Sequence, residues 1–373
     1  MINLYGLDRE ALEALFVEQQ QQAFRGRQLM KWVYHQGQFD FRAMTDLPAS
    51  TREWLQDNVH FELPRVETFR QSVDGTCKWV LDVGNRNFVE MVVIPDRGRN
   101  TLCVSSQVGC MLDCSFCSTG KQGFSGNLDA ATIVGQLVIA NQYLASRNEQ
   151  VTNVVLMGMG EPLLNFDAAI AATNIMQDDL AFGISKRRVT VSTAGVVPAI
   201  YKLAERSEVA LAISLHAPDD ALRNELVPIN RKYPLAQLME ACQHYVRHLG
   251  SHRKLVMEYT LIRGVNDSLD QADALVELLR SLRCKINLIP FNPFPGSGYE
   301  RPAMAQIRRF QTRLMQAGFA TMLRTTRGED IDAACGQLVG QVQDRTKRKA
   351  RYEARLAGQQ SARLIQVSND AIG

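Results

Sequence analysis

The stretch Gly109-Cys-Met-Leu-Asp-Cys-Ser-Phe-Cys-Ser-Thr-Gly120 contains three cysteines, Cys110, Cys114 and Cys117, at the spacing C-x3-C-x2-C. We call residues 109–120 the cysteine loop. No fourth cysteine or histidine lies within this loop, whereas a structural zinc ion usually has four protein ligands. Three thiolates can instead hold a 4Fe–4S cluster and leave one iron without a protein ligand. The spacing therefore indicates a cluster whose open iron can bind a small molecule and take part in chemistry.

The length and composition of the chain limit its class. Its 373 residues, 46% of them hydrophobic, suffice for one large α/β barrel plus a small accessory domain. The sequence has no apolar run of about 18 residues, the length that predicts a transmembrane helix. Its first residues also lack the basic and apolar pattern of a signal peptide. We therefore expect a cytoplasmic protein without membrane contacts, in which the eight cysteines serve metal or redox chemistry rather than structural disulfides.

The pattern of apolar residues predicts four regions. They are a helical accessory domain over residues 1–70, a β-hairpin linker over 71–100, a barrel over 101–345 and a basic, polar tail over 346–373. In the third region, short apolar runs alternate with helical stretches, which is typical of a parallel sheet covered on both faces. Such a series of βα units favours a partial or full (β/α) barrel over an open sheet. The predicted strands are Thr101–Gln107, Asn153–Met157, Arg188–Ser192, Val209–Ser214, Leu255–Leu261, Lys285–Ile289 and Thr321–Arg324.

Polar residues and glycines lie at the ends of several of these strands. Gly158-Met-Gly-Glu-Pro162 follows one strand, Ser192 ends a second, Ser214-Leu-His216 ends a third and Asn292 follows a fourth. Barrel enzymes build their active sites at the carboxyl ends of their strands. These strand ends are therefore where we expect a ligand.

A C-x3-C-x2-C loop within a series of βα units resembles the radical S-adenosylmethionine (SAM) superfamily. The resemblance implies that SAM binds the open iron of a 4Fe–4S cluster through its amino and carboxylate groups. It also implies that one electron from the cluster cleaves SAM into methionine and a 5′-deoxyadenosyl radical. In enzymes of this kind the protein orients the reactants and excludes competing reactions.

Further segments narrow the resemblance to the family of dual-specificity ribosomal and transfer RNA adenine-C2 methyltransferases. The resemblance implies two substrates, an adenosine in the peptidyl-transferase region of 23S rRNA and the adenosine just 3′ of the tRNA anticodon. It also implies an RNA-binding role for the N-terminal domain and an electron-donor protein such as a flavodoxin, and we expect a monomer. The segments that carry the resemblance are Thr101–Cys110, Met157–Asn165, Ile213–Pro218, Asn287–Gly296 and Asp330–Leu338.

Three residues acquire catalytic roles from this resemblance. Taken alone, Cys103 and Cys335 suit small buried packing residues, and Glu90 suits an outward-facing position on an alternating strand. The resemblance implies that Cys335 accepts a methyl group from one SAM, and that a second SAM yields the radical that removes a hydrogen from this methyl group. The carbon then joins C2 of adenine, Glu90 takes the C2 proton, and Cys103 releases the product by forming a transient disulfide with Cys335.

The resemblance also implies a SAM site at the strand ends. Gly160 and Glu161 lie in the turn that meets the methionine amino group. The glycine lets the backbone approach the ligand, and the carboxylate accepts hydrogen bonds. The serine and asparagine side chains suit the carboxylate, ribose and adenine, and the Ser-Leu-His segment contributes mostly backbone groups. His216 by itself equally suits a core histidine. The residues are Gly160, Glu161, Ser192, Ser214, Leu215, His216 and Asn292.

Three alternatives remain open at this point. A Cfr-type enzyme would use the same cysteines to methylate C8 of the same rRNA adenine. A non-catalytic RNA-binding protein would hold zinc with its cysteines. Another radical SAM reaction, such as ring formation, is disfavoured because most such enzymes need no second pair of thiols. The basic run Arg345–Arg355 suits RNA phosphates, but a charge run alone favours a solvated helix face.

Overall fold

Three helices form the N-terminal domain in the computed structural model, which describes residues 1–250 and 252–357. Helices α1 and α2 pack closely at Gly26. A Cβ atom at this position would lie 2.9 Å from the backbone of Leu12 and Glu13, so there is no room for a larger residue. Strands β1 and β2 pair in parallel and bring the two ends of the domain together. Leu4 and Tyr5 belong to the same hydrophobic core as the barrel, so the domain packs against it. The bounds are β1 Ile2–Asn3, α1 Arg9–Glu18, α2 Phe24–Tyr34, α3 Ala49–Asn58 and β2 Val59–His60.

Four antiparallel strands follow and form one end of the main sheet. The hairpin that the sequence predicts is made by β4 and β5. Gly84, Asn85 and Arg86 connect the two strands, and all three have positive φ angles of 84°, 52° and 57°. The bounds are β3 Arg65–Gln71, β4 Cys77–Asp82, β5 Phe88–Asp96 and β6 Arg99–Cys103.

Strand β6 ends at Cys103, earlier than the predicted end at Gln107. Beyond it, the side chain of Gln136 takes the place of a neighbouring strand. Its Oε1 accepts from Ser105 N at 2.8 Å and its Nε2 donates to Ser105 O at 2.9 Å. The chain then forms a small antiparallel pair that flanks the cysteine loop. The bounds are β7 Gln107–Gly109, α4 Ser118–Lys121, β8 Phe124–Asn127 and α5 Ala130–Ala145.

The rest of the sheet is parallel, and its strands are adjacent in chain order from β6 through β9 to β14. The predicted parallel sheet is therefore confirmed, and each predicted strand is present, with shifts of at most one residue at its ends in every strand but β6. Within the described ranges, no helix has both the length and the apolar character needed to cross a membrane. The bounds are β9 Asn153–Leu156, α6 Phe166–Gln177, β10 Val189–Thr193, α7 Val197–Arg206, β11 Ala210–Ser214, α8 Asp220–Leu226, α9 Leu235–Leu249, β12 Leu255–Leu261, α10 Leu269–Leu279, β13 Cys284–Pro290, α11 Met304–Gln316 and β14 Thr321–Leu323.

The sheet curves around one cavity. Val92 on β5 and Leu323 on β14 line this cavity although their strands are far apart in the sheet order. Strand β14 does not pair with β3 in the described sheet, so the barrel is partial, as predicted. The chain after β14 returns to β5, where Phe88 N donates to Gln341 O at 2.9 Å. We call residues 332–343 the Cys335 segment.

A buried arginine joins the ends of β10 and β11. Arg223 on α8 is 0% exposed. Its guanidinium donates to Ala194 O at 2.7 Å, Ser214 O at 3.1 Å, Leu215 O at 3.0 Å and Asn230 Oδ1 at 2.8 Å. Burial lowers its pKa to about 10, which still leaves it charged at neutral pH. Several buried acceptors at the carboxyl ends of the strands therefore depend on one side chain.

Arg223→Met should destabilise the protein by about 3 kcal/mol or more, because these acceptors would lose their charged donor without regaining water. Urea denaturation followed by circular dichroism measures the free energy of unfolding. The control is Arg231→Met, since Arg231 is exposed, and it should change that free energy by no more than about 0.5 kcal/mol. Equal unfolding free energies for the two variants would contradict the role of Arg223.

Candidate active site

A cavity of about 460 Å³ lies at the carboxyl ends of the parallel strands, and its volume is typical of a small-molecule site. It brings together most of the predicted site residues, although they are spread over much of the chain. Glu90 and Leu215 do not line it. The predicted residues that do are Cys103, Cys110, Cys114, Cys117, Gly160, Glu161, Ser192, Ser214, His216, Asn292 and Cys335.

The cysteine loop is fastened so that its thiols line this cavity. Cys117 N donates to Cys114 O at 3.2 Å and closes a turn between the second and third cysteines. Ser115 N donates to Leu226 O at 3.0 Å and ties the turn to the end of α8. Cys110, Cys114 and Cys117 all line the cavity.

Three thiols are a donor set that suits an iron–sulfur cluster. Within residues 1–250 and 252–357, no three His, Cys, Asp or Glu side chains are placed to hold one metal ion. A zinc ion brings each thiolate to about 2.3 Å, whereas the thiolates of a 4Fe–4S cluster bind different irons and so lie farther apart. Burial raises the pKa of Cys110 well above its usual value and that of Cys114 to about 12, and the neighbouring thiols raise both pKa values further. The positive charge of the irons would offset this penalty.

Phe116 and His216 form one wall beside the cysteine loop. Their rings meet edge to face with centroids 4.5 Å apart. Burial lowers the pKa of His216 to about 3, so its ring is neutral at physiological pH. Its Nδ1 accepts from Thr260 N at 3.0 Å, which assigns the ring proton to Nε2. Both rings line the cavity together with the three thiols.

The turn after β9 combines a close backbone approach with a buried carboxylate. Gly160 has a φ of 106°, and a Cβ there would lie 2.6 Å from Cβ of Gln107. Glu161 accepts from Leu163 N at 3.1 Å through Oε1 and from Ala194 N at 2.8 Å through Oε2. Burial raises its pKa to about 7. A carboxylate offers about four lone-pair sites, so the group can still accept from an ammonium.

The remaining predicted SAM residues differ in what they present. Ser192 and Ser214 lie at the ends of β10 and β11 and line the cavity. Asn292 also lines it, and its Nδ2 donates to Cys335 O at 3.2 Å. Leu215 is fully buried in the hydrophobic core, so only its backbone can serve the site.

The Cys335 segment is hydrogen-bonded to the cysteine loop and its flank. Ser118 N donates to Gly336 O at 2.8 Å, and Thr119 Oγ1 donates to Leu338 O at 2.9 Å. With the bond from Asn292, these contacts hold Cys335 between the cysteine loop and the end of β13.

Cys103 and Cys335 share the cavity with a cation. Both cysteines are free thiols. Burial raises the pKa of Cys103 to about 12, with Cys335 raising it further. Cys335 is exposed on the cavity surface, and desolvation by the surrounding cavity walls raises its pKa. Arg324, directly after β14, lowers both thiol pKa values, whereas the carboxylate of Glu258 raises that of Cys335. Arg324 is therefore the positive group that favours the thiolate form of both residues.

Glu90 lies next to the cavity wall and contacts the Cys335 segment. It is 4% exposed, and Oε1 pairs with Lys78 Nζ at 3.2 Å. Oε2 accepts from Val339 N at 2.9 Å, and Lys78 Nζ also donates to Asp332 O at 3.2 Å. Burial raises the pKa of Glu90, although the charge of Lys78 acts in the opposite direction. The buried Lys78–Glu90 ion pair therefore binds the backbone on both sides of Cys335, at Asp332 and at Val339.

Among the residues of the site that the sequence does not single out are three charged side chains with clear contacts. Arg324 and Glu258 line the cavity, and Lys78 pairs with Glu90. Glu258 is an acid within the apolar strand Leu255–Leu261, a pattern that it shares with Glu90 and that by itself does not indicate a functional residue. Arg324 was placed within a predicted strand, whereas β14 ends one residue before it, at the position where other site residues lie.

Comparison with known proteins identifies the family of the chain. The family model "Ribosomal RNA large subunit methyltransferase N-terminal domain" matches residues 2–61, and "Radical SAM superfamily" matches residues 104–278. A crystal structure of a radical SAM methyltransferase from Sphaerobacter thermophilus is similar with a TM-score of 0.82 and 41% sequence identity, covering 91% of this chain and 99% of that chain. The fold is that of a radical SAM methyltransferase, a class that implies a 4Fe–4S cluster and SAM.

The chain is also 56% identical over 356 residues to the dual-specificity RNA methyltransferase RlmN of Pseudomonas fluorescens (strain SBW25), covering 94% of this chain and 93% of the relative. It is 57% identical over 357 residues to RlmN of Pseudomonas putida (strain W619), covering 95% and 94%. The chain belongs to the RlmN family. This finding is contrary to the interpretation as a non-catalytic zinc protein and favours the C2 enzymes over the Cfr-type alternative.

Arg324 should control the pH at which Cys335 reacts. The thiolate fraction grows as the pH rises through the pKa of Cys335, so alkylation by iodoacetamide should speed up with pH. Arg324→Met removes a charge that lowers this pKa, so its profile should move to higher pH. If the pKa of Cys335 rises by about one, the thiolate fraction and the alkylation rate at neutral pH should fall about tenfold. Peptide mass spectrometry measures the alkylation rate of Cys335.

Arg327→Met is the control for this change in pH profile. Arg327 lines the same cavity, but its guanidinium lies 4.0 Å from the carboxylate of Asp96. The control should keep the pH profile of the unmodified sequence. The same profile in Arg324→Met would contradict the proposed electrostatic role.

Proposed function

We propose that this chain methylates C2 of an adenosine in the peptidyl-transferase region of 23S rRNA and C2 of the adenosine 3′ of the tRNA anticodon. The observation that carries the proposal is the single cavity that joins the cysteine loop to two further free thiols, Cys103 and Cys335. An ordinary methyltransferase needs no such pair. The curated relatives named as dual-specificity RNA methyltransferases support RNA as the substrate.

Cys110, Cys114 and Cys117 would hold the 4Fe–4S cluster and leave one iron for SAM. When bound, these groups supply a 5′-deoxyadenosyl radical, and another SAM molecule supplies the methyl group. The residues for SAM lie around the cavity, with Glu161 accepting from the methionine ammonium beside the close approach at Gly160. The other proposed contacts are Ser192, Ser214, Leu215, His216 and Asn292.

Cys335 would act first, as the nucleophile that accepts the methyl group. The thiolate is the reactive form, and Arg324 favours it in an environment where burial opposes it. The methyl group then loses a hydrogen atom, and its carbon joins C2 of adenine, so the RNA becomes attached to Cys335. Asn292 Nδ2 donates to Cys335 O and Ser118 N donates to Gly336 O, and these hydrogen bonds keep the sulfur near the cysteine loop.

Cys103 and Glu90 would release the product. The radical adduct would pass one electron to the oxidised cluster and its C2 proton to Glu90. The Cys103 thiolate attacks the sulfur of Cys335 to form a disulfide, and the carbon that leaves this sulfur takes a proton to become the methyl group. A cellular reductant then opens the disulfide. Disulfide geometry requires the two Cα atoms to approach within about 7 Å. To reach the C2 proton of adenine, Glu90 must give up the hydrogen bond that it accepts from Val339 N. We therefore expect the Cys335 segment to shift when RNA binds.

Cys103→Ala should trap the RNA on Cys335, because the thiol that breaks the adduct is missing. Cys335→Ala should form neither methylated protein nor adduct. Denaturing electrophoresis with end-labelled tRNA measures the adduct. Cys242→Ala is the control, since Cys242 is buried in α9, away from the cavity, and it should release product normally. Free methylated RNA from Cys103→Ala would contradict the role of Cys103.

The path of the RNA is suggested by a second cavity of about 370 Å³ beside the first. The two cavities share Pro290, Leu323, Arg324, Thr325 and Thr326. Two more arginines, Arg301 and Arg308, line the second cavity. Arginine and threonine donors suit a phosphodiester, so we propose that a phosphate next to the target nucleotide binds there. The N-terminal domain would bind more distant parts of the RNA, with a flavodoxin as electron donor and a monomer as the working form.

Arg308→Gln should weaken RNA binding and lower the slope of log K against log salt by about 0.7 to 1, the amount expected for one lost phosphate contact. Fluorescence anisotropy with labelled tRNA over a salt series measures the slope. Arg309→Gln is a matched control, because Arg309 follows on the same helix but is not among the residues lining the second cavity. The same slope for both variants would contradict the phosphate site.

A further inference from the structure

The chain beyond the Cys335 segment is fastened to the barrel rather than extended into solvent. We call residues 344–357 the C-terminal strap; residues 348–357 of it are helical. Asp344 accepts from Thr346 N at 2.7 Å, Lys349 N at 2.8 Å and Phe124 N at 3.3 Å. Arg345 N donates to Phe124 O at 3.0 Å. The sequence predicted a basic, polar tail here, and its part from residue 358 onward lies outside the described residues.

Farther along the strap, a second anchor reaches the chain after β13. Tyr352 donates its hydroxyl proton to Pro295 O. Leu356 occupies the space beside Gly296, where a Cβ would be 2.1 Å from its Cδ2. The strap therefore connects the flank of the cysteine loop with the chain that follows Asn292.

Between these anchors, Arg348 binds the backbone of the cysteine loop. Nη2 donates to Cys110 O at 2.7 Å and Met111 O at 3.2 Å. Nη1 donates to Leu112 O at 2.8 Å and Gly120 O at 3.3 Å. Nε donates to Thr346 Oγ1 at 3.0 Å within the strap. A guanidinium has five N–H donors, and all five are used.

The carbonyl groups that Arg348 contacts lie at both ends of the cysteine loop. Residues 110, 111 and 112 are consecutive and begin the segment between the first and second cysteines, while residue 120 ends the loop. One planar cation thus joins both ends of the loop, including the carbonyl of a proposed cluster ligand. Groups that orient metal ligands affect metal affinity by about 10–100-fold. A positive charge next to a cluster also favours its more reduced, more negative state.

We propose that Arg348 is a positioning residue for the iron–sulfur cluster, which holds the cysteine loop closed at Cys110 and raises the reduction potential of the cluster. The inference rests on the proposed function, in which Cys110, Cys114 and Cys117 hold the cluster. It extends the machinery of the enzyme to the C-terminal strap, which no part of the reaction scheme otherwise uses. Lysine cannot replace Arg348 fully, because an ammonium has three donors and no planar fork.

The test compares full-length proteins reconstituted anaerobically with iron and sulfide. Chelator-induced loss of cluster absorbance measures retention, and an EPR-monitored redox titration measures the midpoint potential. Arg348→Gln should lose its cluster about tenfold faster or more and have a lower potential. Arg348→Lys keeps the charge, so its potential should stay near that of the unmodified protein while its cluster is lost faster. Arg351→Gln is the control, since Arg351 is exposed on the same helix.

The outcomes separate this inference from the proposed function. Retention and potential in Arg348→Gln equal to those in Arg351→Gln would overturn the inference and leave the proposed function intact. Retention in Arg348→Lys equal to that of the unmodified protein would overturn the positioning role, because charge alone would then suffice. Circular dichroism identifies any variant that unfolds, and Arg348→Lys still decides the matter if Arg348→Gln does not fold. An unmodified protein that binds no cluster would overturn the proposed function and this inference with it.

Discussion

The position of Cys335 depends on hydrogen bonds between the Cys335 segment, which follows the last strand of the barrel, and residues that lie far from it in the sequence. Lys78 and Glu90 bind the segment on either side of Cys335, and Ser118 N and Asn292 bind it near the thiol. Without these contacts, a cysteine in a segment without regular secondary structure would have no fixed position relative to the cysteine loop. The β/α sheet supplies the cavity, and the Cys335 segment supplies the thiol that would accept the methyl group.

Burial has opposing effects on that chemistry. The cavity shields a radical reaction from water, yet desolvation disfavours the thiolate forms of Cys103, Cys114 and Cys335, as their raised pKa values indicate. Arg324 lowers the pKa values of the two thiols outside the cysteine loop, and the cluster irons would compensate those within it. We infer that fixed positive charge is the general means by which this cavity keeps sulfur reactive.

Much of the fold followed from the sequence, because local patterns encode it. The hairpin of β4 and β5, the parallel strands and the cysteine loop each lie within a few adjacent residues whose spacing is informative. The early end of β6 was not predictable, because it depends on the distant side chain of Gln136. The contacts of Lys78 and Arg348 were missed for the same reason: each joins residues hundreds of positions apart. The roles of Cys103, Cys335 and Glu90 came from family resemblance, since each residue alone suits ordinary packing.

In the proposed reaction, a methyl group reaches C2 of adenine through Cys335 and loses a hydrogen atom on the way. The most direct test supplies SAM with a fully deuterated methyl group to the reconstituted protein, a reductant and unmodified tRNA or 23S rRNA, followed by nucleoside mass spectrometry. The account predicts 2-methyladenosine whose methyl group keeps two deuteriums and contains one hydrogen, because one deuterium is removed before the carbon joins the base. A methyl group that keeps all three deuteriums would contradict the radical route, and 8-methyladenosine would contradict the site of methylation.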